Sequence, residues 1–310
     1  MSGPRPIGTQ QDEWVHVYYA ITVSCMSEQA RVSKNHPESS AMILEGNAAL
    51  IIGHPGHELR IHHWLETARP LTFVLTDGSG RGQRSRLPST ARVLRKAGAK
   101  AASIFGRWTD AEAYEILLSG NLRALTSITA ELTRSLVEND IRGVVADAME
   151  GYNPTHDLCR YITNAAVLIV ERTTGRKIGN FDFVLVAPPN AAPAATRDQC
   201  VHLQLDQPAL TRKRRAAENY PELKDEVDAA ISRFGIEIFA TELLRPVIPD
   251  LSANFSGQPY YESYGENQVK QGHYEKVIRY RENVLPLMQA LWRELDLPMP
   301  VELSRARSSD

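Results

Sequence analysis

The stretch AALIIGHPGHE, Ala48–Glu58, decides how the fold is read. Its first five residues are apolar without alternation, the pattern of a strand buried on both faces. The Gly-His-Pro-Gly that follows breaks the strand, and Glu58–Thr67 suits a helix. A buried strand, a tight loop and a helix make the first half of a βαβ unit.

The same alternation extends outward from this stretch. Leu71–Leu75 reads as a second strand, stopped by Asp77-Gly-Ser-Gly80. Ser89–Gly98 reads as a helix with Ser89 or Thr90 as its cap, and Ala101–Phe105 as a third strand. Thr109–Asn139 is mostly helical in pattern, and Ile141–Ala148 is the next buried strand. After the loop Met149–Thr155, His156 opens an apolar helix over Asp157–Val170. Phe181–Ala187 and Cys200–Leu205 read as strands, Pro208–Arg233 as a charged amphipathic helix, Pro246–Gly265 as a loop and Gln268–Leu295 as a closing helix. Strands alternating with helices predict an α/β domain of Rossmann-like, doubly wound type over residues 46–310, with a mainly parallel sheet and a C-terminal helical tail. Residues 1–45 read as an N-terminal leader, with one strand at Trp14–Val23.

Of the 310 residues, 43% are hydrophobic and 23% charged, an ordinary globular balance that excludes disordered, collagen-like and coiled-coil classes. With 35 basic against 37 acidic side chains the net charge is −2, the wrong balance for a general nucleic-acid or anionic-membrane binder. The apolar runs fall short of the roughly 20 residues that span a bilayer, and the chain opens without a basic signal-peptide region. Three scattered cysteines, Cys25, Cys159 and Cys200, without a CxxC predict a reduced, cytoplasmic setting. The oligomeric state is not readable from the sequence.

In an open parallel sheet, ligands bind beyond the carboxyl ends of the strands. Three loops leave such ends with reactive residues: His54–Glu58, Asp77–Gly80 and Glu150–Asp157. His54 and His57 at one turn, with His156 from another loop, offer three nitrogens and an open fourth position, the arrangement of a catalytic zinc. Spacing alone also fits hydrogen-bonded loop histidines.

These motifs resemble those of the PIG-L/LmbE-type N-acetylglucosaminyl deacetylases. In that family a hydrophobic strand precedes HPDDE; here it precedes His54-Pro-Gly-His-Glu58. Phe73–Gly80 (FVLTDGSG) is similar to the family's second strand and T-x-G loop, and Gly151–Asp157 (GYNPTHD) stands where the family has HPDH. The likeness covers about residues 46–175. It implies His54, His57 and His156 as ligands of Zn2+ or another divalent metal, with His57 in place of the family's ligand aspartate.

Other positions depart from the pattern. Gly56 stands where the family has its general base, Asn153 where HPDH has its first His, and Thr155 where it has Asp. General acid–base help is typically worth 10²–10⁴-fold, so its loss matters. Glu58 and Asp77 are the candidate replacements for the base, against bracing and turn roles; Asn153 is the candidate oxyanion donor. An aspartate restored at position 56 is expected to raise hydrolysis of N-acetyl amino-sugars if the pocket is an impaired deacetylase, and to bring a small or negative change if Glu58 or Asp77 already serves as the base. Asp157 reads as a helix N-terminal charge.

Remaining features are secondary. His62 and His63 read as packing residues of the helix. The loop Asp77–Gly82, with Arg81, Arg84 and Arg86, is suited to a phosphate or acidic sugar but lacks a Walker or Rossmann order. Arg212–Arg215 reads as a solvated face, and Tyr260, Tyr261, Tyr264 and His273 as aromatic residues suited either to packing or to stacking on a sugar. The resemblance implies a metal-dependent hydrolase that cleaves an amide, of N-deacetylase type, on an amino-sugar or related small conjugate. The alternatives are a hydrolase of the same fold with a changed substrate or bond, or an inactive metal- or glycan-binding protein.

Overall fold

The computed structural model describes residues 43–44, 47–82, 84–247 and 257–299. The strand expected at Trp14–Val23, and most of the leader and of the loop after Pro246, lie outside the described residues. Ile43, on the leader's side of the expected boundary, is fully buried and its carbonyl accepts the indole N–H of Trp64.

Seven strands form the sheet: β1 (Ala48–Ile52), β2 (Leu71–Thr76), β3 (Lys100–Trp108), β4 (Gly143–Asp147), β5 (Gly179–Phe183), β6 (Val201–Gln204) and β7 (Thr241–Pro246). Their order is β3-β2-β1-β4-β5-β7-β6. The first five pair in parallel, and β7 runs antiparallel to both β5 and β6. The expected α/β, doubly wound, mainly parallel architecture is therefore the observed one. β1, every residue of which is buried, is flanked by β2 and β4, and the winding reverses between β1 and β4.

The helices are α1 (His62–Ala68), α2 (Leu87–Ala97), α3 (Asp110–Ser119), α4 (Leu122–Glu138), α5 (Pro154–Thr174), α6 (Gln207–Glu218), α7 (Lys224–Phe234), α8 (Tyr260–Lys270) and α9 (Leu285–Glu294). One core cluster joins the sheet to α3, α4, α5 and α9, centred on Phe73, Val144, Ile162 and Trp292. The other faces α1 and α2, around Leu50, Trp64, Leu94 and Phe181. Amphipathic α4 buries Leu125, Ile128, Leu132 and Leu136 at three- and four-residue spacing.

Several local expectations need correction. The helix expected over Thr109–Asn139 is two, divided at Gly120 (φ 65°), with Thr109 closing a capping box on α3 and Asn121 capping α4. Pro208–Arg233 also divides, at Asn219-Tyr-Pro221. Gln268–Leu295 is interrupted after Lys270 by Gly272 (φ 73°) and a π turn at Tyr280–Val284. Tyr260–Gly265, expected in a loop, is helical. Ser89 and Thr90 do not cap α2; the helix begins at Leu87, and both residues are buried in it. β5 ends at Phe183 because the N–H groups of Leu185, Val186 and Ala187 all donate to the Glu150 carboxylate, not to a ladder.

β7 had no counterpart in the sequence reading, and its charges explain why. Arg245 pairs with Asp182 of β5 at 2.6 Å. Glu242, almost fully buried, accepts the backbone N–H groups of His63 and Trp64 at 2.8 Å each, in the first turn of α1, and the Lys213 ammonium at 2.9 Å. Breaking a buried pair by removing one partner typically costs about 3–5 kcal/mol. Lys213→Met is accordingly expected to lower unfolding stability by about 3 kcal/mol in urea titration, and a loss under about 0.5 kcal/mol contradicts this account.

Candidate active site

The three histidines meet at the carboxyl ends of β1 and β4, where the winding of the sheet reverses. His54 and His57 follow β1; His156 lies in the first turn of α5, after β4. The ring centres are 5.4 Å apart for His54–His57, 5.1 Å for His54–His156 and 4.6 Å for His57–His156, in edge-to-face contact. Three imidazoles around one tetrahedral zinc, with nitrogens about 2.0–2.1 Å from it, have ring centres roughly 5 Å apart. The spacing thus fits one ion. Among the described residues no group of three His, Cys, Asp or Glu side chains is arranged to hold a metal ion as it stands.

The hydrogen bonds of His54 and His57 fix which of their nitrogens carries the proton. His54 Nδ1 lies 2.7 Å from Thr76 Oγ1 and 3.1 Å from Asp110 Oδ1. Thr76 Oγ1 gives its own proton to the Gly53 carbonyl, so Nδ1 is the donor to both. The lone pair is then on His54 Nε2, which is buried without a partner. His57 Nδ1 donates to Asp147 Oδ2 at 2.9 Å, which places its lone pair on Nε2 as well. His156 Nδ1 is buried and unpartnered. Burial, then the neighbouring His57 and His54, hold the His156 imidazole well below the usual range, so it is neutral at pH 7.

Two carboxylates behind the rings were not among the sequence candidates. Asp147 closes β4, and its Oδ2 accepts both His57 Nδ1 and the Gly53 N–H, the latter at 2.7 Å. A Cβ at Gly53 would stand 3.1 Å from that oxygen and 3.3 Å from the Thr155 carbonyl, so glycine permits the approach. Asp110, the first residue of α3, joins His54 to the Asp77–Gly80 loop by accepting the Gly80 N–H at 2.7 Å. Burial pushes its carboxyl up, but the hydrogen bonds from His54 and the Gly80 N–H bring it well below the ordinary range. The one available signal for Asp147 was a charge ending the buried run Gly143-Val-Val-Ala. Asp110 resembled an ordinary helix-start acid.

The candidate bases hold other positions. Burial raises the Glu58 carboxyl to about 7 against hydrogen bonds that lower it, and its oxygens accept Thr90 Oγ1 at 2.8 Å and the Gly56 N–H at 2.7 Å. Asp77 Oδ1 accepts the Ser79 N–H at 2.9 Å in its own turn. Asn153 is the N-cap of α5, its Oδ1 accepting the Thr155 N–H at 2.8 Å. His156 therefore lies inside the helix it was expected to open. His62 packs on α1 with its ring facing Glu66 at 4.0 Å, apart from the three-ring cluster.

Gly56 has φ 106°, and a Cβ there would meet Leu223 Cδ1 at 2.3 Å and Tyr220 Cζ at 3.6 Å. The direction in which residue 56 would project a side chain is filled from the α6–α7 connection. An aspartate at 56 would have to adopt this left-handed backbone and displace the Leu223 side chain before it could serve as a base.

The fold and this site together define an α/β protein with a histidine cluster at the switch point of its sheet. No family model matches the chain, and no curated protein matches it. Solved structures of similar fold include the A40926 pseudoaglycone deacetylase Dbv21 (18% identity, 65% of this chain and 97% of that one, TM-score 0.47). They also include the conserved protein TT1542 from Thermus thermophilus (18%, 68% and 99%, 0.45) and a zinc-inhibited form of the teicoplanin deacetylase Orf2 (11%, 67% and 100%, 0.40).

Asp157 offers a test of the loop that carries Asn153 and His156. Its Oδ1 accepts the N–H groups of Glu150 and Gly151 at 3.2 Å, while burial raises the carboxyl to about 8 against those bonds. The native state then binds one more proton than the unfolded chain between about pH 4 and pH 8, and stability falls as pH rises through that window. Metal-free Asp157→Asn protein is expected to lose this slope, about 1.4 kcal/mol per pH unit at most, in unfolding curves taken from about pH 5 to 8. Identical slopes in the two proteins contradict the assignment.

Proposed function

We propose that the chain is a metal-dependent hydrolase that cleaves an amide, of N-deacetylase type, on an amino-sugar or related small conjugate. The observation that carries this reading is the histidine cluster, with buried, unpartnered nitrogens on His54 and His156 and carboxylates bonded behind His54 and His57. Imidazoles held by a carboxylate on the far nitrogen are the usual form of metal-ligating histidine. His54, His57 and His156 would hold the cation, Zn2+ being suited to three neutral imidazoles. When bound, such a cation supplies Lewis acidity, polarising a carbonyl and acidifying water to a pKa of about 7.

The chain's own residues supply orientation and proton handling. Asp110 and Asp147 fix the tautomers of His54 and His57. With Oδ1 committed to the cap, Asn153 has its amide N–H groups to donate to a developing oxyanion. Of the two candidate bases, Glu58 has the carboxyl poised near neutrality, and Asp77 is held in its turn. A reducing, cytoplasmic setting agrees with free Cys159 and Cys200. Among the described residues no helix is long and apolar enough to cross a membrane.

A second reading, a protein of the same fold that binds a metal or glycan without turnover, is favoured by Gly56 under Leu223. The two readings share the metal site. After loading with zinc and removal of excess, the wild type is expected to retain about one equivalent. His57→Ala and His156→Ala should lose most of it, His62→Ala should keep it, and Asp147→Asn should weaken affinity about 10–100-fold. Retention of less than about a tenth of an equivalent by the wild type, or equal loss in all the variants, overturns the site.

Gly56→Asp separates the mechanism from its relatives. The positive φ and the contact with Leu223 are expected to cost about 1–3 kcal/mol of stability. The variant should hydrolyse N-acetylglucosamine no faster than the wild type in a free-amine assay. A gain of tenfold or more shows that residue 56 does reach the reacting groups.

A further inference from the structure

Five tyrosines from separate parts of the chain form a continuous strip of ring contacts beside the histidines. Tyr152, in the loop after β4, stacks on Tyr260 of α8 with centres 4.9 Å apart and planes 8° from parallel. Tyr260 meets Tyr264 one helical turn on at 6.0 Å, Tyr264 meets Tyr274 at 6.5 Å, and Tyr274 meets Tyr114 of α3 at 5.9 Å. All five are half-buried, so part of each reaches solvent. The neighbouring Tyr261, by contrast, is buried.

Both ends of the strip are tied to the cluster. Tyr152 precedes Asn153, the cap of the helix that carries His156. Tyr114 lies one turn beyond Asp110, the carboxylate bonded to His54, and feels its charge. The strip therefore runs from one loop of the site to the other across α8. Elsewhere the protein keeps its large apolar groups covered: among the described residues, Val137 is the one exposed large hydrophobic side chain. Tyrosine gives broad, rigid, amphipathic contact area at low conformational cost, and ring-on-ring contacts favour flat-faced partners.

We infer that Tyr152, Tyr260, Tyr264, Tyr274 and Tyr114 form a subsite for an uncharged, ring-bearing portion of the substrate remote from the amide, longer than a single sugar ring. The inference rests on the hydrolase reading for its location beside the amide, but binding to the strip is measurable without turnover. Five rings joined pairwise at 4.9–6.5 Å offer more contact surface than one sugar ring can cover, which is why a longer group is assigned.

The test uses the full chain, metal-free, with two probes: N-acetylglucosamine and the p-nitrophenyl glycoside of its β-1,4-linked disaccharide. By calorimetry the glycoside is expected to bind at least tenfold more tightly than the monosaccharide. Tyr260→Ala and Tyr264→Ala, made separately, should each weaken glycoside binding about three- to tenfold while leaving monosaccharide binding within twofold. Tyr260→Phe, which keeps the ring, should retain wild-type affinity, and unfolding midpoints near wild type show the variants to be folded. In the zinc-loaded protein the same Ala variants should raise KM for the glycoside and leave kcat within twofold. No binding of the glycoside, equal affinity for the two probes, or unchanged affinity in both Ala variants overturns the subsite. Strip-dependent binding with no amide hydrolysis overturns the hydrolase reading alone; hydrolysis that is indifferent to both tyrosines overturns the subsite alone.

Discussion

The Asp147 carboxylate holds together what the rest of the site depends on. One of its oxygens accepts a backbone N–H from the end of β1 and a ring N–H from the loop beyond it. The two strands whose divergence opens the crevice are thereby joined at their carboxyl ends. The same bond sets the tautomer of His57, so sheet geometry and imidazole chemistry are fixed by one group. It also explains Gly53, because any larger residue would crowd the oxygen. Asp110 performs the corresponding task on the other side, joining His54 to the loop after β2.

Much of the architecture was legible in the sequence because a parallel strand buried on both faces is written as an unbroken apolar run. β1 is of this kind, as is β4 up to its closing Asp147, and β2 departs from it only at its two threonines. β7 is not, since it carries Glu242 and Arg245 whose partners, Lys213 and Asp182, lie in other elements. The long helical patterns were legible in kind but not in length. Their breaks depend on single residues in left-handed conformation, such as Gly120 and Gly272, or on a proline at the next helix start.

The three histidines were legible as a set because each follows a strand end. Asp110 and Asp147 were not, since one resembles a helix-start acid and the other merely ends a strand. Leu223 could not be read at all: its relation to Gly56 exists only once α6 and α7 are packed. Glycine at that position is thus part of the packing there.

The Glu242 carboxylate that caps α1 lies 178 and 179 residues beyond the backbone groups it accepts. Domains emerge from the ribosome N-terminal end first, at about 5–20 residues per second. The loop bearing His54 and His57 is made early, yet the helix that anchors it is completed only by a strand synthesised roughly ten to forty seconds later at those rates. During that interval the N–H groups at the amino end of α1 have water, and not Glu242, as their partner. Assembly of the site is therefore a late, long-range event in the birth of the protein, and a nascent chain stopped short of β7 would expose an unfinished first helix.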